Sequence, residues 1–579
     1  MTMQHHHHHY HHQRPQQQQN GSSATSNESS RSGRSSPWMR KPLSVVHQQQ
    51  ALEATSTTPC TATPSSSTSS STSLHRHLSV WDLICIGIGS SVGSGIFVLT
   101  GQIAAQTTGP LTFVSFALAG LAACLSGTCY AELSGRLPAA GSTYVYAYVC
   151  LGELAAVVAA SCLSLEYGIA GAAVARSWGD KVLWWMETMG LGSDSSGGGG
   201  GGGASNTWFQ QQGSMINLPA GLVSILSTLL LLAGVQESKS VTNIFTALKL
   251  WLVAFMTIGG FVLFRRSNFT TPVLPYGWQG VWRGATSSFF AYLGYDEVCC
   301  VAGEAKDPAR TMPLAVLGTL LIVTACYVLS ALALTGMVHY TDIHPTSGFP
   351  DAFATRHVYW AAQLTSLGEL VCLPVVVLVS LMAQPRLALS MAHDGLLPPF
   401  FAKVDARGNL FGGTLVCGSA MTLIATFLPF TYLNDLISAG ILVAFSMTDS
   451  CLVLLRCESP ASRPYLLEQC LVIYNASCLL TALLWSHTIW FLPGPFQTIL
   501  ATLLTGLTIA SFLYLVRHCP QSAHFGGSIL WQPLATHHNN ADHGNQHGAS
   551  DSTTDQHFRT PLVPYLPCLG MAVNWYLYV

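Results

Sequence analysis

The sequence predicts an all-α integral membrane protein built from two inverted repeats of five spans each (5+5), followed by additional C-terminal helices. Three observations predict this fold class. Only 9% of the 579 residues are Asp, Glu, Lys or Arg, whereas 49% are hydrophobic, a balance typical of membrane proteins. Twelve apolar runs are long enough to cross a bilayer. The first and the sixth of these runs are both interrupted at glycine.

Charge and residue spacing exclude several function classes. The net charge of -2 gives no basic face for nucleic acid, so we expect none as a partner. The seventeen cysteines lie largely in apolar runs, where thiols behave as small hydrophobic groups rather than as a disulfide framework. The runs contain no nucleophile–base set, no metal-spaced His/Cys cluster and no phosphate loop. We therefore predict that the protein is not an enzyme and has neither a metal site nor a cofactor.

The polar ends of the chain are predicted to lie outside the bilayer. Residues 1–74 are rich in His, Gln, Ser and Thr and too poor in apolar surface to fold, so we expect a disordered cytosolic tail. The histidines at 5–9 and 11–12 fit a metal-binding tract, an expression tag or plain low complexity, and the last interpretation is favoured.

The predicted spans lie at 82–104, 111–134, 145–175, 215–234, 240–264, 285–303, 313–337, 359–385, 411–428, 431–455, 466–486 and 490–516. The corresponding domains are a first repeat at 75–264 with a glycine-rich loop at 179–214, a second repeat at 265–456, spans 11 and 12 at 457–517, a polar linker at 518–560, and a partial or terminal thirteenth span at 561–579.

The distribution of lysine and arginine favours a cytosolic N-terminus. Nine of these residues then lie in inner loops, namely Arg136, Lys239, Lys306, Arg310, Lys403, Arg407, Arg456, Arg463 and Arg517. Six lie in outer loops, namely Arg176, Lys181, Arg265, Arg266, Arg283 and Arg356. An inner excess is what the positive-inside rule requires. The sequon that begins at Asn268 would then be an extracellular glycosylation acceptor.

Glycines interrupt the first span at positions 87, 89, 93 and 95. One interpretation is close helix packing, since Gly89 and Gly93 are spaced as small residues at membrane helix contacts are. The other is a break that faces a polar cavity, because lipid does not satisfy free backbone groups. In a break, N–H groups near a positive helix end can hold a carboxylate. The predicted substrate contacts in this span are Ile88, Gly89, Val92, Gly93, Ser94 and Gly95.

The sixth span is interrupted at Gly294, which is followed by Asp296 and Glu297 in an otherwise apolar run. Free carbonyl groups at the end of its first half can receive an ammonium group. The predicted substrate contacts are Phe290, Ala291, Tyr292, Gly294 and Tyr295. Two breaks at corresponding places in successive sets of five indicate an inverted-repeat transporter with its site at mid-membrane. Together, the amide end and the carbonyl end describe a socket for an α-amino acid.

Four charged residues within the spans are candidates for coupling or charge recognition. Lys249 lies nine residues into the fifth span, about 13 Å along the helix, where a lysine is either functional or structurally paired. Glu153, about nine residues into the third span, and Glu166 are candidates to meet a cationic side chain, or to bond a neighbouring helix. Asp296 is placed to cap the second half of the sixth span.

Several ordered motifs resemble the cationic amino acid transporter family of the amino acid–polyamine–organocation superfamily. They are Gly93-x-Gly-Ile-Phe97, Tyr130-Ala-Glu-Leu-Ser-Gly-Arg-Leu-Pro138 with Gly141-Ser142, Leu165-Glu-Tyr167 with Ala173-Val-Ala-Arg176, Phe289-Phe-Ala-Tyr-Leu-Gly-Tyr-Asp296 with Glu304-Ala-Lys-Asp-Pro308, Gln384-Pro-Arg386 with Met391-Ala-His-Asp-Gly-Leu-Leu-Pro-Pro399, and Pro561-Leu-Val-Pro564. The resemblance runs from about residue 76 to the end of the chain.

This resemblance implies a LeuT-type fold and alternating access. It implies that Lys249 sits against the broken first span as a proton-sensitive substitute for a sodium ion, and that Glu153 matches an acid associated with transport. The sequence departs from the family at Glu297, where a small residue is usual, and at Gly303, where a second acid is usual. Family members usually have fourteen spans, whereas this chain ends at the thirteenth.

The predicted function is transport of amino acids, with arginine, lysine and ornithine as the leading substrates. The alternatives are an amino-acid sensor with a transporter fold, or a transporter of neutral amino acids or polyamines. Proton coupling and uniport both fit the sequence. The plasma membrane is the first candidate location and the vacuolar or lysosomal membrane the second. The oligomeric state is not predicted.

Overall fold

In the computed structural model, every regular secondary-structure element of the described residues is a helix or a helical turn. These residues are 40–41, 78–93, 95–139, 141–188, 216–233, 239–269, 272–345, 347–403, 410–486, 494–522, 525 and 557–578. Except for Arg40 and Lys41, the predicted tail lies outside the described residues, as do the glycine run of the loop at 179–214 and most of the linker at 518–560. The interpretations given for those segments stay predictions.

The first half of the bundle contains both long and short helices. They are α1 (Val80–Ser91), α2 (Thr100–Gln106), α3 (Thr112–Arg136), α4 (Thr143–Cys150), α5 (Glu153–Ser164), α6 (Ala170–Thr188), α7 (Leu218–Leu232) and α8 (Lys239–Val262). A π-helical turn at Gly95–Leu99 leads into α2, and another at Leu165–Ile169 joins α5 to α6. A 3₁₀ turn at Gly109–Leu111 precedes α3.

The second half continues with α9 (Gly277–Ser288), α10 (Tyr295–Cys300), α11 (Pro308–Met337), α12 (Phe349–Thr355), α13 (Tyr359–His393), α14 (Phe411–Phe427) and α15 (Phe430–Arg456). The C-terminal helices are α16 (Leu466–Trp485), α17 (Gly494–His518) and α18 (Tyr565–Tyr578). Single 3₁₀ turns lie at Arg266–Phe269, Phe289–Tyr292, Ala302–Glu304, Tyr340–Asp342 and Pro399–Ala402.

The helices account for the twelve predicted spans. Nine helical stretches of the described chain are long and apolar enough to cross a membrane. The shorter apolar helices α7 and α14 and the interrupted sixth span supply the other three. The protein is therefore a multi-pass membrane protein, as its composition predicts.

The third span begins later than predicted. Residues Thr143–Cys150 form the separate helix α4, and the chain turns at Gly152, whose φ of 105° lies in the region that favours glycine. The continuous span is Glu153–Leu183. Glu153 is thus in the first turn of its helix, and the prediction that it lies about nine residues inside the span is wrong. The apolar character of 145–151 hid this turn.

Helix α1 begins at a capping box. The Ser79 hydroxyl accepts from the Asp82 amide at 3.4 Å, and the Asp82 carboxylate accepts from the Ser79 amide at 3.0 Å. Next to this cap, the Leu78 amide donates to the Glu304 carbonyl at 3.0 Å, and the Lys306 amide donates to the Leu78 carbonyl at 3.1 Å. The start of the first span is therefore joined to the end of the sixth.

The C-terminal helix α18 packs against the bundle through buried polar groups. The Asn574 amide nitrogen donates to Ser126 Oγ at 3.0 Å and to Asp449 Oδ2 at 3.3 Å, and Ser126 Oγ donates to the same carboxylate at 2.9 Å. These residues belong to α18, α3 and α15. Just before α18, the Thr560 amide donates to Glu132 at 2.7 Å. The segment 557–578 is thus joined to the second and tenth spans.

The sequon asparagine is engaged by the backbone. Asn268 is half-buried, and its Nδ2, the atom that would carry a glycan, donates to the Gly336 carbonyl at 2.8 Å. This contact opposes modification of the folded protein at the predicted acceptor.

Candidate functional site

The first helix stops at Ser91 and resumes after a break. The Gly93 carbonyl accepts from the amides of Ile96 and Phe97, each at 3.2 Å. The amides of Gly93 and Gly95 therefore precede the first bonded amides of the new helical segment, which is where helices leave N–H groups without partners inside the helix. Ser94, also predicted as a contact, lies outside the described residues.

The sixth span breaks between a 3₁₀ turn and α10. The turn Phe289–Tyr292 ends at Leu293, which is extended, and Gly294 follows with a φ of 119°. Asp296 Oδ1 accepts from the Gly294 amide at 3.4 Å. Asp296 therefore bonds the amide of Gly294, the residue that precedes α10, and its capping of the amides of α10 stays a prediction.

The two breaks lie directly against each other. A β-carbon added to Gly95 would lie 2.5 Å from the β-carbon of Ala291, and one added to Gly294 would lie 2.7 Å from the amide nitrogen of Ser91. Residue numbers rise along one break and fall along the other at these contacts. The breaks therefore run antiparallel, as inverted repeats require.

The earlier glycines of the first span serve packing. A β-carbon on Gly87 would lie 2.7 Å from the Thr319 hydroxyl, and one on Gly89 would lie 2.9 Å from the Thr246 hydroxyl. Ile88 and Val92, both predicted contacts, are buried in the same region. The small residues therefore bring α1 close to α11 and α8.

Lys249 lies against the broken first span, as the family resemblance implies. Its side chain is buried, and Nζ donates to the Gly89 carbonyl at 2.6 Å. One turn earlier, the Thr246 hydroxyl donates to the Cys85 carbonyl at 3.0 Å. Helix α8 is thus bonded to carbonyl groups in the last turns of α1.

Tyr327 of α11 joins the two breaks and was not found by sequence reasoning. Its hydroxyl oxygen lies 2.6 Å from the Ser91 carbonyl oxygen and 2.8 Å from the Ala291 carbonyl oxygen, so the two carbonyls share its single proton. The rings of Phe116 and Tyr292 pack around it, with centroids at 5.6 Å and 5.4 Å. The only signal in the sequence is a hydroxyl-bearing side chain within an apolar span.

Two acids meet beside the sixth-span break. Glu166, in the π-helical turn between α5 and α6, is buried, and its carboxyl group can share a hydrogen bond with that of Asp296. The carboxyl group of Asp296 is its neighbour and accepts from the Tyr167 hydroxyl at 2.7 Å. Two buried carboxyl groups in contact cannot both stay ionised without a counter-charge, so this position holds a proton or attracts a cation.

Two of the predicted substrate contacts, Phe290 and Tyr295, pack against other aromatic rings. The Phe290 ring packs against Phe430 with centroids 5.9 Å apart. The Tyr295 ring packs against Tyr130 and Phe445 at 5.5 Å and 5.4 Å, and its buried hydroxyl has no partner among the described residues.

Two other predicted residues point to different places. The Tyr292 hydroxyl donates to the Phe116 carbonyl of α3 at 2.6 Å, so its side chain leaves the break. Glu153 is half-buried at the start of α5, close to Tyr148, and is not brought together with the breaks.

The arrangement presents donors and acceptors of the peptide backbone rather than metal ligands. Among the described residues, no group of three or more His, Cys, Asp or Glu side chains is placed to hold a metal. The sixteen cysteines in this part of the chain are free thiols. The groups that the breaks offer for hydrogen bonding are amide donors on one side and carbonyl acceptors on the other.

A family model described as amino acid permease matches residues 78–517. The chain belongs to this family. The family is one of membrane transporters and not of enzymes, which agrees with the prediction from the spans. The chain's membership of this family, together with the two paired breaks, confirms the predicted all-α, LeuT-type fold class.

Similar proteins cover most of the same region. The chain is 34% identical over 402 residues to "Cationic amino acid transporter 4, vacuolar" of Arabidopsis thaliana, with 68% of this chain and 65% of that protein covered. It is 36% identical over 393 residues to "Methylthioribose transporter" of Bacillus subtilis, with 67% and 83% covered. These matches confirm the resemblance read from the motifs. The chain spans just under two thirds of the plant relative's length.

Among solved structures, the chain is similar to the crystal structure of MhsT in complex with L-phenylalanine. The sequence identity is 14%, the TM-score is 0.47, and the match covers 66% of this chain and 90% of that one.

Proposed function

We propose that the protein transports amino acids across a membrane by alternating access, with the substrate bound between the two breaks. The observation that carries this proposal is the direct contact of the breaks at Gly95 and Ala291. Amide donors and carbonyl acceptors at this contact match the two charged groups shared by all α-amino acids. No side-chain charge has to be buried to recognise them.

In this proposal the carboxylate binds near the Gly93 and Gly95 amides, where the second half of the first span begins. The ammonium group binds at the Ala291 carbonyl, which ends the first half of the sixth span. Because Gly95 contacts Ala291, the position for the carboxylate lies close to the position for the ammonium group. The two groups are similarly close on one α-carbon. A carbonyl oxygen has two lone pairs, so Ala291 can accept from both Tyr327 and a substrate.

We propose cationic amino acids as substrates because of Glu166. Its buried carboxyl group lies beside that of Asp296, and the pair becomes negative once the proton that the two acids share is displaced. A guanidinium or ammonium side chain that reaches from the breaks would neutralise this position. Arginine, lysine and ornithine supply such a group, whereas leucine does not.

Coupling to protons is a further part of the proposal and rests on Lys249. A buried ammonium bonded to the Gly89 carbonyl stabilises the break from outside the substrate socket. Loss of a proton would release that carbonyl and loosen α1 from α8, which would link proton exchange to movement of the first span. A uniporter would use the same bond as a fixed support.

The proposed orientation places the N-terminus in the cytosol. The plasma membrane is the first candidate location, from the sequence, and a vacuolar or lysosomal membrane is the second. The name of the plant relative includes the word vacuolar.

Radiolabelled exchange in proteoliposomes tests the function. Vesicles loaded with arginine should accumulate labelled arginine, and lysine and ornithine should compete more strongly than leucine. Citrulline, which has the shape of arginine without its charge, should compete weakly. Binding without exchange would indicate a sensor, and stronger competition by leucine, a polyamine or methylthioribose would contradict the cationic amino acid assignment.

A matched pair of variants tests the residue that carries charge selectivity. Glu166→Gln should reduce the preference for arginine over citrulline by at least tenfold, because one charge-assisted contact is worth about 1.5–3 kcal/mol. Glu153→Gln removes an acid from the same span away from the breaks and should keep the preference. An unchanged preference in Glu166→Gln would remove this residue from substrate recognition.

A further inference from the structure

Tyr327 closes a gap that both broken helices leave. The Ala291 carbonyl ends the first half of the sixth span, and the Gly294 amide, which would be its partner in a continuing 3₁₀ turn, donates to Asp296 instead. The Ser91 carbonyl ends α1 at the other break. Carbonyls at helix ends lack partners within the helix, and here one hydroxyl serves both.

The position of this hydroxyl is fixed by packing. Tyr327 is fully buried, and the rings of Phe116 and Tyr292 hold its ring from two sides. A β-carbon on Gly95 would lie 3.5 Å from the Tyr327 hydroxyl oxygen. The hydroxyl therefore lies at the contact of the two breaks and not behind it.

We infer that Tyr327 is the positioning residue for the ammonium group of the substrate. By donating to one lone pair of the Ala291 carbonyl, it fixes the direction of the other lone pair toward the socket. Because the Ser91 carbonyl shares the same hydroxyl proton, Tyr327 also sets the distance between the two breaks. This inference rests on the proposed function, because it assigns Tyr327 a role in that same site.

The chemistry predicts a selective defect. A ligand with an α-ammonium group uses the carbonyl that Tyr327 orients. A ligand with the same carboxylate and guanidinium but a hydrogen in place of the ammonium does not use that carbonyl. Loss of the hydroxyl should therefore weaken the binding of arginine but not the binding of 5-guanidinopentanoate.

Exchange assays on Tyr327→Phe test this inference. The KM for arginine should rise about tenfold, the effect of one buried hydrogen bond, with little change in maximal rate. The inhibition constant of 5-guanidinopentanoate should stay within about twofold of the wild-type value, so the ratio of the arginine KM to this inhibition constant rises about tenfold. Tyr474→Phe is the control, because Tyr474 is also buried and donates to a backbone carbonyl, that of Cys568, at 2.7 Å.

A second substitution separates the hydroxyl from the ring. Tyr327→4-aminophenylalanine keeps the ring and supplies two N–H donors, so it should restore the arginine KM to within about threefold of wild type. The inference would be overturned if Tyr327→Phe weakened the binding of both ligands equally or changed neither constant. The transporter assignment would remain intact in both cases. If wild-type protein binds and exchanges no amino acid, the proposed function itself fails and the inference fails with it.

Discussion

Single residues at the contact of the breaks decide whether the socket can form. The glycines at 93 and 95 and the lysine at 249 were predictable from sequence, because a glycine in a lipid-crossing helix and a charge at mid-membrane each demand a reason. Tyr327 was not predictable. A tyrosine in an apolar span carries no period or spacing that reveals its partners, and only the folded structure brings Ser91 and Ala291 to the same hydroxyl.

Gly95→Ala should strongly reduce exchange. The added methyl would lie 2.5 Å from the Ala291 β-carbon, so the breaks must separate, and overpacking of this kind costs about 1–3 kcal/mol. We expect at least a tenfold loss of arginine exchange, measured at equal amounts of folded protein. Gly506→Ala is the control, because nothing lies within 4 Å of a β-carbon there. Normal exchange by Gly95→Ala would show that the contact is not part of the socket.

Lys249→Met should lower exchange and remove its response to pH. Methionine retains most of the length but not the donor, and leaving the Gly89 carbonyl unpaired costs about 1–3 kcal/mol. Initial rates across a pH series, with and without a proton gradient, measure the effect. Lys403→Met changes an exposed lysine and should leave the profile unaltered. A Lys249→Met profile that follows wild type would retire the proton-exchange role.

At the scale of elements, composition predicted which helices break but not where every helix starts. Glycine with flanking polar residues marks a break because lipid offers no partner for free backbone groups. The start of the third span at Glu153 was missed, since the turn at Gly152 lies within a continuous apolar run. The joining of α18 to the bundle was equally hidden, because Asn574 and Asp449 are 125 residues apart in sequence.

Asn574→Ala should loosen α18. The substitution removes a donor from the buried Asp449 and Ser126, and unsatisfied buried polar groups cost about 1–3 kcal/mol. The melting temperature of the detergent-purified protein should fall by a few degrees. Leu569→Ala alters the exposed side of the same helix and should have a smaller effect. Equal melting temperatures for Asn574→Ala and wild type would show that this polar contact contributes nothing.

At the scale of the whole molecule, the span count and the inverted repeat followed from counting spans and matching the two breaks. The sequence could not reveal the charges that join distant spans. Lys181 of α6 and Glu369 of α13 form a buried ion pair at 2.5 Å, although positive-inside counting treated Lys181 as a loop residue. Its partner lies 188 residues away, beyond the reach of local patterns.

Glu369→Gln should destabilise the protein strongly. Removing one partner leaves the Lys181 ammonium buried without its counter-charge, which costs about 3–5 kcal/mol. Replacing the pair by Lys181→Met with Glu369→Leu should recover much of the loss, because an apolar pair needs no compensation. Thermal unfolding of the three proteins provides the comparison. A double variant less stable than Glu369→Gln would contradict this explanation.

The central claim is that the paired breaks bind the charged groups of an amino acid. The measurement that tests it most directly is an experimental structure at saturating arginine, in which the distances from ligand to backbone are read. We predict that the arginine carboxylate lies about 3 Å from the amide nitrogens of Gly93 and Gly95, and that its α-ammonium lies about 3 Å from the Ala291 carbonyl oxygen. Arginine bound elsewhere, or bound in the reverse direction between the breaks, would contradict the claim.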